Sequence, residues 1–152
     1  AATARGIVAS VLSRPPQSLY DTLIVAAGSI SGVSVGMSAR GAGDVPLGEV
    51  ESVTASSASI VLYSSPGRSH GAWVGSSRIP VTLIGVGGGA FIATAPKASG
   101  VMEGDVVYLS DGQAGAIARV RKIETDLSSP AATLLISALS NPFSTVWVTL
   151  LP

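Results

Sequence analysis

Cysteine is absent from the 152-residue sequence, and histidine occurs only once, as His70. The lack of cysteine excludes disulfides and thiolate metal sites, although it says little about the redox compartment. A zinc site is also poorly supported, because one histidine without cysteine leaves too few of the usual ligands. We therefore expect neither a metal nor a cofactor.

Charge is scarce as well: charged residues make up 12% of the chain, and nine basic residues balance nine acidic ones. A formal net charge of zero gives no attraction to a phosphate backbone, so we expect no nucleic-acid binding. Hydrophobic residues reach 47%, which excludes disorder. The abundant residues are β-branched ones, 18 glycines and nine prolines, a composition that predicts many short strands and turns.

Long uncharged runs raise the question of a membrane helix, above all "IPVTLIGVGGGAFIATAP" at residues 79–96. Three consecutive glycines divide this run and Pro80 opens it, so it predicts two strands joined by a glycine turn. The same glycines formally match the dinucleotide motif G-x-G-x-x-A, but no helix follows them to hold a pyrophosphate. The start "AATARG" predicts no signal peptide, so any membrane anchor is expected outside this sequence.

The two halves of the chain repeat one another. The string "LIVAA" at 23–27 aligns with "FIATA" at 91–95, and further on "GEVESV" at 48–53 aligns with "GAIARV" at 115–120. Residues 60–62 then align with 134–136, and the two tryptophans, Trp73 and Trp147, align with each other. This order predicts a duplication, with domains at residues 1–77 and 78–152. The sequence leaves open whether the last strand completes the second barrel or crosses back to the first.

Each half reads as six short strands, and no helix is confidently predicted. Closure into a barrel protects the edges of such a sheet, so the predicted fold class is all-β, with two tandem six-stranded β-barrels related by internal duplication. We interpret the paired tryptophans as packing in the core or at a barrel seam. The glycines expected at structural turns, through positive φ or close backbone packing, are Gly28, Gly32, Gly36, Gly48, Gly100, Gly104 and Gly115.

The connection between the predicted barrels is very short, because little more than the segment from Val74 to Arg78 separates them. So short a linker predicts barrels in contact at a fixed relative orientation. Replacing Gly87, Gly88 and Gly89 with bulkier residues is expected to perturb only the hairpin of the second unit. That expectation rests on the two units having separate cores.

Four strings carry a resemblance to a known family: "YDTLIVAAGSISGVSVGM", "LGEVESVTASSASIVLYSSPG", "GDVVYLSDGQAGAIARVRKIE" and "TVWVTLLP". Together they resemble the extracytoplasmic region of the MreC family of rod shape-determining proteins, over roughly residues 7 to 152. Most matched positions are turn glycines, so their order carries the specificity. The positions that match the family pattern are Gly28, Ser29, Gly32, Val33, Gly36, Met37, Leu47, Gly48, Val50, Val53, Gly104, Asp105 and Val107.

The resemblance implies a non-enzymatic scaffold of the bacterial cell-wall elongation machinery. It implies a class B penicillin-binding protein, MreD and MreB as partners, and self-association into dimers or filaments. The family's barrels follow a membrane helix and a coiled coil, which implies a location on the extracytoplasmic face of the membrane and an N-terminal anchor upstream of this sequence. The candidate partner contacts are Tyr20, Gly87, Gly88, Gly89, Phe91 and Phe143.

Two other function classes remain open. A carbohydrate-binding module would use exposed aromatic residues, although these make up only 5% of the chain. A degenerate or active chymotrypsin-like double barrel would need a triad, for which His70, Asp44 and Asp111 are the candidates besides serine. No glycine-framed nucleophile motif surrounds any serine, so we expect no catalytic residue. His70 is interpreted as a solvated loop residue.

Overall fold

The structure is a computed structural model that describes residues 6–15, 21–110 and 115–152. Its strands form two closed antiparallel barrels of six strands each, which confirms the predicted all-β fold. The only helices in the described ranges are single 3-10 turns at Ser29–Ser31, Ala42–Asp44 and Lys97–Ser99. The strands are β1 Ile7–Ser13, β2 Thr22–Val25, β3 Ser38–Arg40, β4 Pro46–Val53, β5 Ala58–Leu62, β6 Ser69–Val74, β7 Ile79–Gly87, β8 Ala90–Pro96, β9 Val106–Leu109, β10 Ala116–Thr125, β11 Ala131–Ala138 and β12 Trp147–Leu151.

The two barrels exchange their last strands. Around the first barrel the order is β1-β12-β3-β4-β5-β2, and around the second it is β7-β6-β9-β10-β11-β8. The two orders are the same once β6 and β12 trade places. The sixth strand of each half therefore completes the barrel of the other half, and the chain crosses between the barrels twice.

This exchange corrects the predicted domains at residues 1–77 and 78–152. β6 lies before residue 77 but pairs with β7 and β9 of the second barrel. β12 is the last strand of the chain but pairs with β1 and β3 of the first barrel. A division at residue 77 fails because the alternating apolar pattern of a strand shows which face is buried but not which sheet receives it.

Strand pairing also shows how the halves correspond. Leu23 pairs with Ile60 in the first barrel, and Phe91 pairs with Ile136 in the second, so the alignment of β2 with β8 matches the pairing. The predicted alignment of β5 with β11 does not match the pairing. The equivalent of Ile60 is Ile136, two residues beyond the predicted match with Leu134.

The tryptophans are likewise not equivalent. Trp73 pairs with Tyr108, and by the same correspondence the position that pairs like it in β12 is Thr149, opposite Arg40. Trp147 pairs with Ser10 instead, so it lies two residues away from the position that matches Trp73. Neither side chain belongs to a core: Trp73 is half-buried and Trp147 is 60% exposed.

Each barrel encloses its own apolar core. The first core contains Leu23, Ile60 and, from the exchanged strand β12, Leu150. The second core contains Leu83 and, from the exchanged strand β6, Val74. Each core therefore depends on side chains from both halves of the sequence.

The turn glycines fall into two groups. Gly32, Gly36, Gly100, Gly104 and Gly115 have positive φ, between 83° and 102°. Gly28 and Gly48 instead allow backbones to approach closely, because a Cβ would lie 2.2 Å from the Thr54 carbonyl oxygen at Gly28 and 2.1 Å from the Val61 carbonyl oxygen at Gly48. Both conditions favour glycine, the first by conformation and the second by space.

Candidate partner-binding surfaces

The glycine turn between β7 and β8 lies at the junction of the barrels. The Gly88 backbone N–H donates to Oδ1 of Asp21, which precedes β2 of the first barrel, at 2.9 Å. The Ser64 hydroxyl donates to Oδ2 of the same carboxylate at 2.7 Å and accepts from the Gly89 N–H at 2.9 Å. We call Asp21, Ser64 and Gly87–Gly89 the junction clamp.

The junction clamp changes the expected role of these glycines. All three have positive φ, at 96°, 64° and 83° for Gly87, Gly88 and Gly89. A Cβ on Gly88 would lie 2.9 Å from Phe143 Cζ, so the Phe143 ring covers the turn. The turn therefore contacts the first barrel, and bulkier residues there would not perturb the second barrel's hairpin alone.

The aromatic residues predicted as partner contacts differ in their exposure to solvent. Phe91 is only 2% exposed, inside the second core, so it is not available to a partner. It is buried because β8 alternates and its odd-numbered residues point inward. Phe143 is 49% exposed beside the junction clamp. Tyr20 lies outside the described residues.

An apolar surface that is not among the predicted contacts lies on the outer face of β1 and β12. Trp147 pairs directly with Ser10, and Val8 and Leu12 flank Ser10 on the same face of β1. All three apolar side chains face solvent, with exposures of 60% for Trp147, 65% for Val8 and 61% for Leu12. We call these three residues the seam patch. The alternation of β1 predicts that Val8 and Leu12 are exposed, but only the strand exchange brings Trp147 between them.

A second surface lies on the other exchanged strand. The paired strands β6 and β9 of the second barrel and the turns beside them line an open groove of about 670 Å³, whose lining residues include Trp73, Arg78, Asp105 and Tyr108. The Arg78 guanidinium lies over the Trp73 ring, 5.2 Å from its centroid. Cationic and aromatic groups thus meet in one concavity, which we call the aromatic groove.

The described candidates for a catalytic triad, His70 and Asp44, contact other residues rather than each other. His70 lies on β6 rather than in a loop, edge-on to the Tyr63 ring at 5.1 Å, with Nε2 3.1 Å from the Tyr63 carbonyl oxygen. Asp44 forms an ion pair with Arg40 at 3.5 Å. Asp111 lies outside the described residues. Within the ranges described, no three His, Cys, Asp or Glu side chains are grouped closely enough to hold a metal ion.

The barrels also restrict how a partner attaches. All twelve strands of the described structure are paired on both sides within closed barrels. Closure removes the free edges on which a strand of a partner would pair. A partner must therefore contact a barrel face, a loop or a groove such as the two surfaces above.

Comparison with known proteins decides the family. The family described as "Rod shape-determining protein MreC, barrel core" matches residues 11–152. The chain belongs to the MreC family. The match begins within β1 and covers the other eleven strands, including both exchanged strands. The comparison with curated proteins returned no match.

Solved MreC structures share this fold. The crystal structure of MreC from Pseudomonas aeruginosa superposes with a TM-score of 0.87 at 19% identity, covering 97% of this chain and 99% of that one. MreC from Listeria monocytogenes gives 0.77 at 24% identity, covering 98% of this chain and 76% of that one. A chain from the complex of penicillin-binding protein PBP2 with MreC from Helicobacter pylori gives 0.56 at 15% identity, covering 97% and 99%.

In the described part of the chain, no helix has the length and apolar character needed to cross a bilayer.

Proposed function

We propose that this chain is a non-enzymatic scaffold that binds a class B penicillin-binding protein on the extracytoplasmic face of the bacterial membrane. The observation that carries the proposal is the family match over residues 11–152, which spans both barrels. The likeness to a chain of the PBP2–MreC complex supports the choice of partner. Links to MreD within the membrane and to MreB across it, through an N-terminal anchor, belong to the same proposal.

The seam patch is the surface that we assign to this partner. Exposed apolar side chains that adjoin one another mark protein interaction sites more often than scattered ones do. Tryptophan is enriched among the residues that dominate binding energies, and Trp147 lies between Val8 and Leu12. The first barrel's outer face therefore offers an anchor of the kind that a protein partner uses.

The experiment measures binding of the purified chain to the periplasmic region of the class B penicillin-binding protein from the same organism, by calorimetry. Trp147→Ala should weaken binding about thirtyfold or more, because truncation of a residue that dominates an interface costs about 2 kcal/mol or more. Leu127→Ala is the matched control, since Leu127 is fully exposed in a loop of the second barrel. No binding by the well-folded unmodified chain would overturn the scaffold proposal, whereas equal binding by Trp147→Ala would overturn only the seam patch.

Self-association is the other part of the proposed scaffold role. A second copy of the chain is an alternative occupant of an exposed apolar face, and it would compete with the penicillin-binding protein if both used the seam patch. Sedimentation equilibrium of the unmodified chain and of Trp147→Ala separates these cases. A concentration-dependent dimer that persists in the variant would place the self-association surface elsewhere.

Carbohydrate binding is the second candidate function, and the 60% exposure of Trp147 is the observation that favours it. An exposed indole face can stack on a sugar ring. Adding soluble glycan strands and following tryptophan fluorescence tests the idea. A shift that Trp147→Ala abolishes would favour a glycan-binding module, and no shift would remove this candidate.

A further inference from the structure

The aromatic groove holds an arginine in a conformation that needs explaining. Arg78 has φ of 53°, which non-glycine residues adopt rarely, and its backbone N–H donates to the Gly75 carbonyl at 3.1 Å. This turn delivers the guanidinium onto the Trp73 ring, 5.2 Å from the centroid. The contact orients a long side chain that would otherwise move freely in solvent, and it holds the guanidinium plane at the lining of the groove.

Arg78 is also available for pairing. Across the described ranges, ion pairs form only between Arg40 and Asp44 and between Lys122 and Glu124. Arg78 therefore presents a positive charge on the wall of a groove of about 670 Å³, with no carboxylate of the described chain bound to it. A stacked guanidinium keeps its N–H edge free, and that edge matches a carboxylate in a bidentate geometry.

We propose that the aromatic groove binds an acidic, extended peptide segment of a protein partner. Arg78 pairs with a carboxylate of the segment, and Tyr108, which is 40% exposed next to Trp73 on the neighbouring strand, packs against the adjoining apolar side chain. This site lies on the second barrel and does not depend on the partner proposed for the seam patch on the first.

Two features favour a peptide over a sugar. Arg78 covers one face of the Trp73 ring, so that face is closed to stacking by a pyranose. Asp105 also lines the groove, with its carboxylate beside Gly75, and it already accepts the Met102 backbone N–H at 2.9 Å. A carboxylate acceptor in the groove suits the backbone N–H groups of an extended peptide.

The test is an NMR titration of the isotope-labelled chain with a short blocked peptide that carries one glutamate between two leucines. Amide shifts should concentrate at residues 73–78 and 105–109. The same peptide with glutamine should bind about fivefold more weakly, because it lacks the ion pair. Arg78→Gly should abolish this charge preference while keeping or raising stability, since glycine adopts positive φ without strain. Arg121→Gln, a change of an exposed arginine on β10, should leave binding unchanged.

Three results would overturn the proposal. One is the absence of peptide-induced shifts in the groove at millimolar peptide. Another is equal binding of the glutamate and glutamine peptides, and the third is unchanged charge preference in Arg78→Gly. Soluble glycan fragments that shift the Tyr108 region when the peptide does not would identify a sugar site instead.

Discussion

At the scale of single residues, two glycines with different physical roles can be told apart by one substitution. Gly36 has φ of +94° and nothing within 4 Å of the place where a Cβ would lie. Gly48 on β4 has room for no side chain, because a Cβ would lie 2.1 Å from the Val61 carbonyl oxygen of β5. Gly36 is required for its left-handed backbone conformation, and Gly48 is required because the neighbouring backbone leaves no space for a side chain.

We expect Gly36→Ala to lower the free energy of unfolding by about 1–2 kcal/mol, the ordinary cost of a left-handed conformation for a residue with a Cβ. Gly48→Ala should cost more than about 4 kcal/mol, because the β4–β5 ladder must separate to admit the methyl group. Urea unfolding of the two variants measures both values. Equal costs would show that the strands relax easily and that close packing at Gly48 is not the constraint.

A further residue-scale prediction concerns Asp126, in the exposed loop between β10 and β11. The Ser128 backbone N–H and hydroxyl both donate to its Oδ1, at 3.0 Å and 2.9 Å. These bonds favour the charged form and hold the pKa of Asp126 below its usual value, with the backbone bond the larger cause. Because the folded pKa lies below the unfolded one, the resulting stabilisation is present above the unfolded value and is lost as pH falls through the folded pKa.

Ser128→Ala should therefore raise the pKa of Asp126 part of the way toward its ordinary value, since it removes the hydroxyl bond and leaves the backbone bond. Carboxyl-carbon NMR titration measures the change. Ser129→Ala is the control, because the Ser129 hydroxyl accepts from Ala131 rather than contacting Asp126. A pKa that rises equally in both variants would mean that loop conformation, and not the hydroxyl, sets it.

At the scale of elements, the exchange of β6 and β12 predicts that a core substitution in either exchanged strand loosens the barrel built mainly from the other half of the chain. Leu150 of β12 and Val74 of β6 are both completely buried, each in the barrel formed mainly by the other half of the chain. Leu150→Ala should cost about 2–5 kcal/mol and Val74→Ala about 1–3 kcal/mol. The first should reduce amide protection in β1 and β3, and the second in β7 and β9.

Amide hydrogen exchange under native conditions distinguishes this arrangement from a simple tandem one. In a tandem arrangement, the change near the C-terminus would loosen the second barrel and leave β1 protected. Protection lost equally over both barrels in both variants would show a single cooperative unit. Either result would contradict the independent cores that the crossed pattern predicts.

The sequence predicts elements well and registers less well, for a reason visible in particular residues. Two turn glycines mark equivalent positions in the two barrels. The Gly36 N–H donates to the Val50 carbonyl of β4, and the Gly104 N–H donates to the Val120 carbonyl of β10. The predicted alignment of residues 23–27 with 91–95, continued at the same spacing, matches Gly36 with Gly104 and agrees with the pairing. Beyond them it matched Val50 with Ile117, whereas the structure makes Val120 the equivalent of Val50.

Strands alternate with a period of two, so an apolar pattern looks the same after a shift of two residues. Bulges change the register further, because β4 and β10 each carry an irregularity at the corresponding place, after Val50 and after Val120. These irregularities leave no mark that distinguishes them from ordinary alternation. The match of Trp73 with Trp147 is wrong by two residues for the same reason.

The candidate surfaces were harder to predict than the fold. Phe91 is an aromatic residue next to a turn, and only its place in the alternation of β8 assigns it to the core. The seam patch depends on β12 reaching β1 across the molecule, and the junction clamp depends on Asp21 meeting a turn from the other barrel. Such contacts join residues far apart in sequence, where local patterns carry no information about pairing.

At the scale of the whole molecule, three kinds of connection hold the barrels together, one of which is the direct contact of β4 with β10. The chain crosses twice, once between β5 and β6 and once between β11 and β12, and each crossing limits separation. The junction clamp adds hydrogen bonds that depend on orientation, since Asp21 accepts from both Gly88 and Ser64. The crossings limit distance, and the clamp fixes the angle at which both outer surfaces are presented to partners.

Removing the Asp21 carboxylate should therefore loosen the relative orientation of the barrels while leaving each barrel folded. Asp21→Ala leaves the Gly88 N–H without its acceptor and should cost about 1–3 kcal/mol. Asp44→Ala is the matched control, because Asp44 also has positive φ, 61° against 56° for Asp21, but pairs within the first barrel. The two variants share the conformational cost of alanine and differ in the contact between barrels.

The absence of native cysteine makes the measurement direct, since spin labels attach only where cysteine is introduced. Ser52→Cys on β4 and Thr133→Cys on β11 place one label on an exposed position of each barrel. Pulsed electron resonance should give a narrow distance distribution for the parent and for Asp44→Ala, and a broader one for Asp21→Ala. An unchanged width in Asp21→Ala would show that the strand crossings and the β4–β10 contact fix the orientation without the clamp. Lost amide protection in β2 and β5 would show instead that Asp21 stabilises its own barrel.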